Sequence, residues 1–182
     1  MPNANERLNP PKVDLSRNCR RMRYMANAPV LRSGRDCRAV AVVGDVYQFL
    51  ATGEDTNGKY ATFESIVRPG GGPPPHIHRR EEEAFYVLEG EVAFYIDGNR
   101  NALRPGMFAN MPVGVPHAFR NETDQPARML VTVAPAGLEK MFFEFGVEVP
   151  PGSTTAAPPT EAEIQKLLAI APNYGIEVLL PK

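Results

Sequence analysis

The chain has 182 residues, which favours a single domain because one domain usually takes about 100–200 residues. Its hydrophobic content of 43% and charged content of 23% are typical of a globular protein and exclude a chain that is disordered throughout. No apolar run approaches the length of about 20 residues that a membrane-spanning helix needs.

Residues 1–38 form a basic segment with nine Arg or Lys residues against three acidic ones, a net charge of +6. Such a segment could contact nucleic acid or anionic lipid. It has no apolar periodicity and no interleaved aromatic residues, so we expect a partly disordered extension, with neither nucleic acid nor a membrane as partner. Met25 opens a plausible domain start, and we expect residues 1–24 to be dispensable.

Cys19 and Cys37 lie in the same basic segment. No secretory signal accompanies them, since the pair Arg20 and Arg21 is not followed by the apolar region that an export signal requires. Two cysteines in this context predict reduced thiols and a cytoplasmic location.

Residues 39–149 read as short strands separated by turns. The strands are expected at 39–50, 60–67, 83–88 and 91–96, and near 107–110, 117–121 and 128–133. Asn57 and Gly58 give the strongest short hairpin signal, and residues 97–99 turn the chain again. Short strands at roughly 8–12-residue spacing predict an all-β sandwich or barrel.

Residues 150–182 differ in character from the barrel segment. A Pro-rich linker at 150–159 precedes Thr160 and Glu163, whose spacing predicts a capping box and the start of a helix. Apolar residues continue at helical spacing until Pro172, which should end the helix. Residues 176–180 are apolar and predict a final strand.

The only three histidines of the chain are His76, His78 and His117. His76 and His78 are two residues apart on a predicted strand, so both can point into a barrel. Glu83 is an odd number of positions from His78 and would face outward on a continuous strand. A turn or bulge in the polar run 79–82 would turn it inward.

Three imidazoles and one carboxylate suit one divalent ion of the Fe, Mn, Co, Ni or Zn type. In six-coordinate geometry two positions stay open for substrate, water or dioxygen. Glu83 could serve both as a metal ligand and as the acceptor of a substrate proton. Because protons compete with metal for imidazole, we expect the metal to leave below about pH 6.

Two segments of the chain resemble the two motifs of the cupin superfamily. The first motif is G(X)5HXH(X)3,4E(X)6G, and it matches at Gly70, His76, His78, Glu83 and Gly90. The resemblance implies a single-domain cupin, with a double-stranded β-helix jelly-roll barrel and a short C-terminal helix.

The second motif is G(X)5PXG(X)2H(X)3N, and it matches at Gly106, Pro112, Gly114, His117 and Asn121. The resemblance implies that His76, His78, Glu83 and His117 are the metal ligands. Glu82 also fits the shorter spacing of the first motif, but only Glu83 keeps six residues before Gly90.

Aromatic residues beside these motifs are mostly expected to form core. Phe85 and Phe119 share the strand alternation of Glu83 and His117, so they are the candidates for lining a substrate pocket. The resemblance also admits a homodimer, formed by exchanged N-terminal or edge strands.

The segment APAGLEKMFFEFG at 134–146 resembles that of quercetin 2,3-dioxygenase-like cupins. It implies a dioxygenase acting on an enol or flavonol-type small molecule, whose hydroxyl gives its proton to Glu83 before dioxygen reacts. Cupins host many reactions, so two alternatives stay open. One is a metal-dependent isomerase, cyclase or decarboxylase that uses no dioxygen, and the other is a non-catalytic module that binds a small ligand.

Overall fold

The computed structural model describes residues 28–179. The expectations for residues 1–24 and for Cys19 concern residues outside that range. The described chain forms two antiparallel sheets whose strands, numbered β1 to β12, are Ala39–Val42, Asp45–Ala51, Ala61–Val67, His76–His78, Glu82–Glu89, Val92–Ile96, Asn99–Leu103, Phe108–Met111, His117–Arg120, Ala127–Ala134, Val147–Val149 and Ile176–Val178.

Three helices accompany these strands. They are α1 (Gly53–Thr56), α2 (Leu138–Phe145) and α3 (Glu161–Ile170), and a 3-10 turn at Ala171–Tyr174 follows α3. Within residues 28–179, no helix is long and apolar enough to cross a membrane.

The two sheets form a jelly roll. The larger sheet has the strand order β11-β1-β2-β3-β10-β5-β8, and the smaller has the order β12-β4-β9-β6-β7. The chain passes from the smaller sheet to the larger between β4 and β5, and returns between β5 and β6. This double-stranded β-helix with a short C-terminal helix confirms the predicted fold class.

The core lies between the inner faces of the two sheets. Phe85 of the larger sheet contacts Phe94 and Phe119 of the smaller one, with ring centroids 4.9 and 5.6 Å apart. Strand alternation supplies the rest of the core, because successive side chains point to opposite faces. On β10 every second side chain is buried, namely Ala127, Met129, Val131 and Val133.

The two predicted turns have different outcomes. Asp97 and Gly98 have φ values of 49° and 77°, the left-handed pair that a tight hairpin between β6 and β7 requires. Asn57 and Gly58 do not form a two-residue hairpin. Asn57, at φ 57°, ends α1 instead, so a longer loop joins the antiparallel strands β2 and β3.

The C-terminal segment returns to the barrel. The predicted capping box is present: Thr160 Oγ1 accepts a hydrogen bond from Glu163 N at 3.2 Å, and the Glu163 carboxylate accepts one from Thr160 N at 2.6 Å. The predicted final strand is also present as β12, and it pairs with β4. The end of the described chain therefore supports the strand that carries two of the histidines.

Part of the predicted basic extension is packed on the barrel. Arg32 donates hydrogen bonds to Asp55 at 2.5 and 2.9 Å and to the Leu50 carbonyl at 3.2 Å. Cys37 is buried, and its Sγ donates to the Gly34 carbonyl at 3.5 Å. Ordered packing thus begins before residue 39, the predicted start of the barrel.

Candidate metal centre

Strands β4 and β9 bring the three histidines together. His76 and His78 are the first and last residues of β4, so their side chains share one face. His117 begins β9 and lies directly opposite His76 in the antiparallel register. Each histidine is at most 7% exposed, so the three imidazoles form a buried group.

The bend between β4 and β5 brings Glu83 to the same point. The chain leaves β4 at His78 and enters β5 at Glu82. Because His78 and Glu83 are not on one continuous strand, the alternation that would have turned Glu83 outward does not apply. The Glu83 Oε2 atom lies 3.1 Å from His78 Nε2 and 3.3 Å from His117 Nε2. Glu82 is exposed and accepts a hydrogen bond from Asn110 Nδ2 at 2.5 Å. The carboxylate that joins the histidines is therefore that of Glu83.

The four side chains fit a bound metal ion. One donor atom from each lies within 4.8 Å of the others. Nδ1 of His76 lies 2.9 Å from the Pro74 carbonyl, and Nδ1 of His117 lies 2.9 Å from the Val115 carbonyl. Donation by each Nδ1–H to a carbonyl fixes the tautomer that leaves the Nε2 lone pair free for a metal.

The pKa values of His76, His78 and Glu83 differ strongly from their ordinary values. Burial lowers the pKa of His76 to about 4, so this imidazole is neutral near pH 7. Burial alone would also lower the pKa of His78, but the carboxylates of Glu83 and Glu81 raise it to about 9. Burial would raise the pKa of Glu83, but His78 and His117 outweigh it and lower the pKa below the ordinary range. Without metal, the group therefore holds a charged carboxylate beside a charged imidazole.

A cavity of about 100 Å³ opens onto His76, His78 and Glu83. Both predicted pocket residues, Phe85 and Phe119, line it. They also pack in the core, with ring centroids 5.6 Å apart.

Other parts of the cavity wall were not predicted from the sequence. They come from β2, β3, α2, α3 and β12, and include Tyr47, Ser65, Leu138, Met141, Phe142, Leu167, Ile176 and Val178. Alternation within β2 and β3 places Tyr47 and Ser65 on the inner face, but it does not show that this face adjoins the histidines. Burial raises the pKa of Tyr47, which keeps its hydroxyl protonated and able to donate a hydrogen bond.

The fold is an antiparallel jelly roll, and three histidines and a glutamate lie together inside its barrel. These two features define a class of β-barrel proteins whose site is suited to a single metal ion. Residues 63–133 match the family model described as "Cupin domain". The match over these residues confirms the resemblance to the cupin superfamily that the two motifs predict.

Individual relatives extend this match. Quercetin 2,3-dioxygenase of Bacillus subtilis is 27% identical over 153 residues, which cover 84% of this chain and 44% of the relative. The solved polyketide cyclase RemF from Streptomyces resistomycificus is 28% identical with a TM-score of 0.52, covering 58% of this chain and 80% of that one. An RmlC-like cupin from Shewanella frigidimarina has a TM-score of 0.54 at 21% identity, covering 64% and 99%, and it shows the fold alone. The chain spans about half the length of the curated relatives it matches first.

Proposed function

We propose that this chain is a metal-dependent dioxygenase acting on an enol or flavonol-type substrate. The observation that carries the proposal is the buried group of His76, His78, Glu83 and His117, which opens onto an apolar cavity. The similarity to quercetin 2,3-dioxygenase over 84% of this chain supports it.

The donor set favours one divalent transition metal per chain. Imidazole suits Fe, Co, Ni and Zn, and carboxylate suits Mn, so the four side chains do not select one ion. When bound, such an ion would lower the pKa of a substrate hydroxyl and orient the resulting anion.

In this proposal Glu83 accepts the proton of the substrate. Its carboxylate is held by contacts from His78 and His117, and it lines the cavity that the substrate would enter. A general base must lie within hydrogen-bond reach of the proton it takes, and a hydroxyl held at this group meets that requirement. Removing the proton makes the substrate an electron-rich enolate, the form that reacts with dioxygen.

The cavity wall favours an uncharged, largely apolar substrate. Among the described residues, neither Arg nor Lys lines the cavity, and the aromatic and aliphatic side chains of Phe85, Phe119 and Phe142 form much of its surface. A phosphate or dicarboxylate substrate could place one charge on the bound metal, but a second charge would be buried without an Arg or Lys partner, which is unfavourable. The hydroxyls of Tyr47 and Ser65 line the cavity and could bind a neutral oxygen atom of the substrate.

The volume of the cavity determines whether a compact enol or a flavonol would fit inside it. An engineered apolar cavity of about 150 Å³ holds one benzene molecule, and the cavity here measures about 100 Å³. A compact enol, such as an enolised diketone, would fit inside it. A three-ring flavonol would have to extend through the mouth.

Dioxygen uptake tests the proposal. Protein loaded in turn with Fe(II), Mn(II), Co(II), Ni(II) and Zn(II) is assayed with compact diketone enols, 1,2-diketones and flavonols. We expect dioxygen consumption that depends on the metal and is lost in the Glu83→Gln variant. No dioxygen consumption by any metal form with any of these substrates would contradict the proposal.

A second candidate is a metal-dependent cyclase or another enzyme that uses no dioxygen. The similarity to the polyketide cyclase RemF, at 28% identity and a TM-score of 0.52, favours it. In this reaction the metal would activate a carbonyl group, and Glu83 would move a proton without net oxidation. Conversion of the substrate at an equal rate under anaerobic conditions would support this candidate against the dioxygenase.

A further inference from the structure

Glu81 is a buried carboxylate that the proposed chemistry does not use. It lies in the bend between β4 and β5, and its side chain is 0% exposed. Within residues 28–179, neither of its carboxylate oxygens has a hydrogen-bond partner. A buried carboxylate without a partner is unfavourable by several kcal/mol, so its presence calls for a physical reason.

The Glu81 carboxylate faces His78. Its Oε2 atom lies 3.7 Å from His78 Nδ1, and this Nδ1 is itself buried and without a hydrogen-bond partner among the described residues. A hydrogen bond between them needs an approach of about 0.5 Å, since N–H···O distances are typically 2.7–3.2 Å. The other nearby cation is Arg80, whose Nε lies 3.7 Å from Oε1 but whose side chain is 48% exposed.

The two other histidines show what His78 lacks. Nδ1 of His76 and Nδ1 of His117 each lie 2.9 Å from a backbone carbonyl. All three imidazoles thus direct Nε2 to the centre of the group and Nδ1 away from it, but only that of His78 meets a carboxylate. A carboxylate that accepts the Nδ1–H makes Nε2 a stronger electron-pair donor to a metal than a backbone carbonyl acceptor does.

We propose that Glu81 is a positioning residue that accepts the Nδ1–H of His78 when the site holds its metal. This inference rests on the proposed metal site. The hydrogen bond fixes the His78 tautomer with a free Nε2 lone pair and increases the donor strength of that nitrogen. His78 then becomes the strongest of the three imidazole ligands, and the site is electronically asymmetric.

Variants at adjacent positions provide a matched test. Glu81→Gln keeps an oxygen acceptor but removes the charge, and Glu81→Met removes both. Glu82→Gln is the control, because Glu82 is one residue away but exposed. Cobalt affinity is measured by chelator competition, and the visible absorption spectrum of the Co(II) form reports the ligand field.

We expect cobalt affinity to fall by about 10–100-fold in Glu81→Met, as for other residues that orient a metal ligand, and by less in Glu81→Gln. The Co(II) absorption bands should shift in both variants, and Glu82→Gln should match the wild type. If Glu81 serves only the fold, the thermal stability of the metal-free variants changes while affinity and spectrum stay as in the wild type. That result would overturn the inference.

A measurement on the unmodified chain makes the test independent of variant folding. In the zinc-loaded protein, nitrogen-15 NMR should show all three histidines protonated at Nδ1, with the His78 proton shifted furthest downfield. Equivalent Nδ1–H shifts for all three would overturn the inference while leaving the metal site intact. A wild-type chain that binds no metal would overturn both.

Discussion

The environments of three consecutive glutamate side chains differ because the local backbone geometry differs. Glu81 is fully buried beside His78, Glu82 is exposed and bonded to Asn110, and Glu83 contacts His78 and His117. The alternation of β5 separates Glu82 from Glu83, because neighbouring side chains on a strand point to opposite faces. Glu81 lies in the bend before β5, where alternation does not apply, and its burial could not be predicted from the sequence.

Replacing Glu83 should affect turnover far more than replacing Glu82. Glu83→Gln removes the proton acceptor, and a general base typically contributes about 10²–10⁴-fold to the rate. We therefore expect a loss of this size in the turnover number, measured at saturating metal. Glu82→Gln is the control, since its side chain is exposed. Equal turnover in the two variants would contradict a role for Glu83 in proton transfer.

The affinity for metal should rise with pH because His78 must lose a proton before its Nε2 can bind. The pKa of His78 is raised from 6.5 to about 9, so the group is protonated at neutral pH. We expect the affinity to increase by about tenfold per pH unit between pH 6.5 and 9 and to level off above that.

The neighbouring histidine adds nothing in this range, since the pKa of His76 is lowered to about 4. In the metal-free protein, the raised pKa of His78 stabilises the fold below pH 6.5, and this stabilisation is lost as the pH rises through 9. Chelator competition across the range measures the affinity, and a constant value from pH 6.5 to 9 would contradict this assignment of charge.

At the scale of elements, β12 has a clear role in the site. β4 carries His76 and His78, and its recorded pairing with β9 is limited to His76 and His117. Its other neighbour, β12, pairs along the whole strand, with Glu177 opposite Ile77. The C-terminal strand therefore holds the histidine strand in place.

Breaking this pairing should weaken metal binding from a distance. Glu177→Pro removes a backbone N–H donor in the middle of β12, and proline is poorly tolerated within a paired strand. We expect at least about a tenfold loss of metal affinity, because less of β4 remains ordered.

Glu177→Ala is the control for this prediction. It removes the exposed ion pair with Arg79 but keeps the backbone donor, and such pairs contribute at most about 1 kcal/mol. Equal metal affinity in Glu177→Pro and Glu177→Ala would show that β12 does not support the site.

The sequence predicted most strands and all four residues of the candidate site, because motif spacing records where strands and turns fall. Several short elements were missed, and β7 and α2 show two different reasons. β7 is polar and half of a hairpin, with a sequence, NRNAL, that has no strand signal of its own. α2 carried a signal that was overlooked: Leu138, Met141, Phe142 and Phe145 follow helical spacing and are buried.

The cavity wall could not be predicted in the same way. Met141 and Ile176 lie far from both motifs in the chain, and only the packing of α2 and β12 against the barrel brings them to the cavity. Such contacts depend on tertiary structure, which spacing within one segment does not record.

For the whole molecule, the candidate site joins the two sheets. Glu83 belongs to the larger sheet, while His76, His78 and His117 belong to the smaller one. A metal ion bound by all four would therefore link the sheets across the core.

The homodimer, the cytoplasmic location and the domain boundaries at 38 and 149 stay predictions.

Metal should stabilise the folded chain, because unfolding separates the ligands. A ligand at 100 times its dissociation constant adds about 2.7 kcal/mol to the free energy of unfolding. For a domain of this size, that corresponds to a rise of about 5–10 °C in the melting temperature. Scanning calorimetry with and without Zn(II) measures it. The His117→Ala variant, which loses a ligand, should show little of the increase, and an equal increase in that variant would place the bound metal elsewhere.

We expect His76, His78, Glu83 and His117 to hold one divalent metal ion together. Elemental analysis of the wild-type chain, after metal reconstitution and removal of excess ion, measures this occupancy. We expect about one equivalent of a transition metal per chain, since three imidazoles and a carboxylate supply four ligands once His78 has lost its proton. A reconstituted chain with less than about a tenth of an equivalent of every ion tried would contradict it.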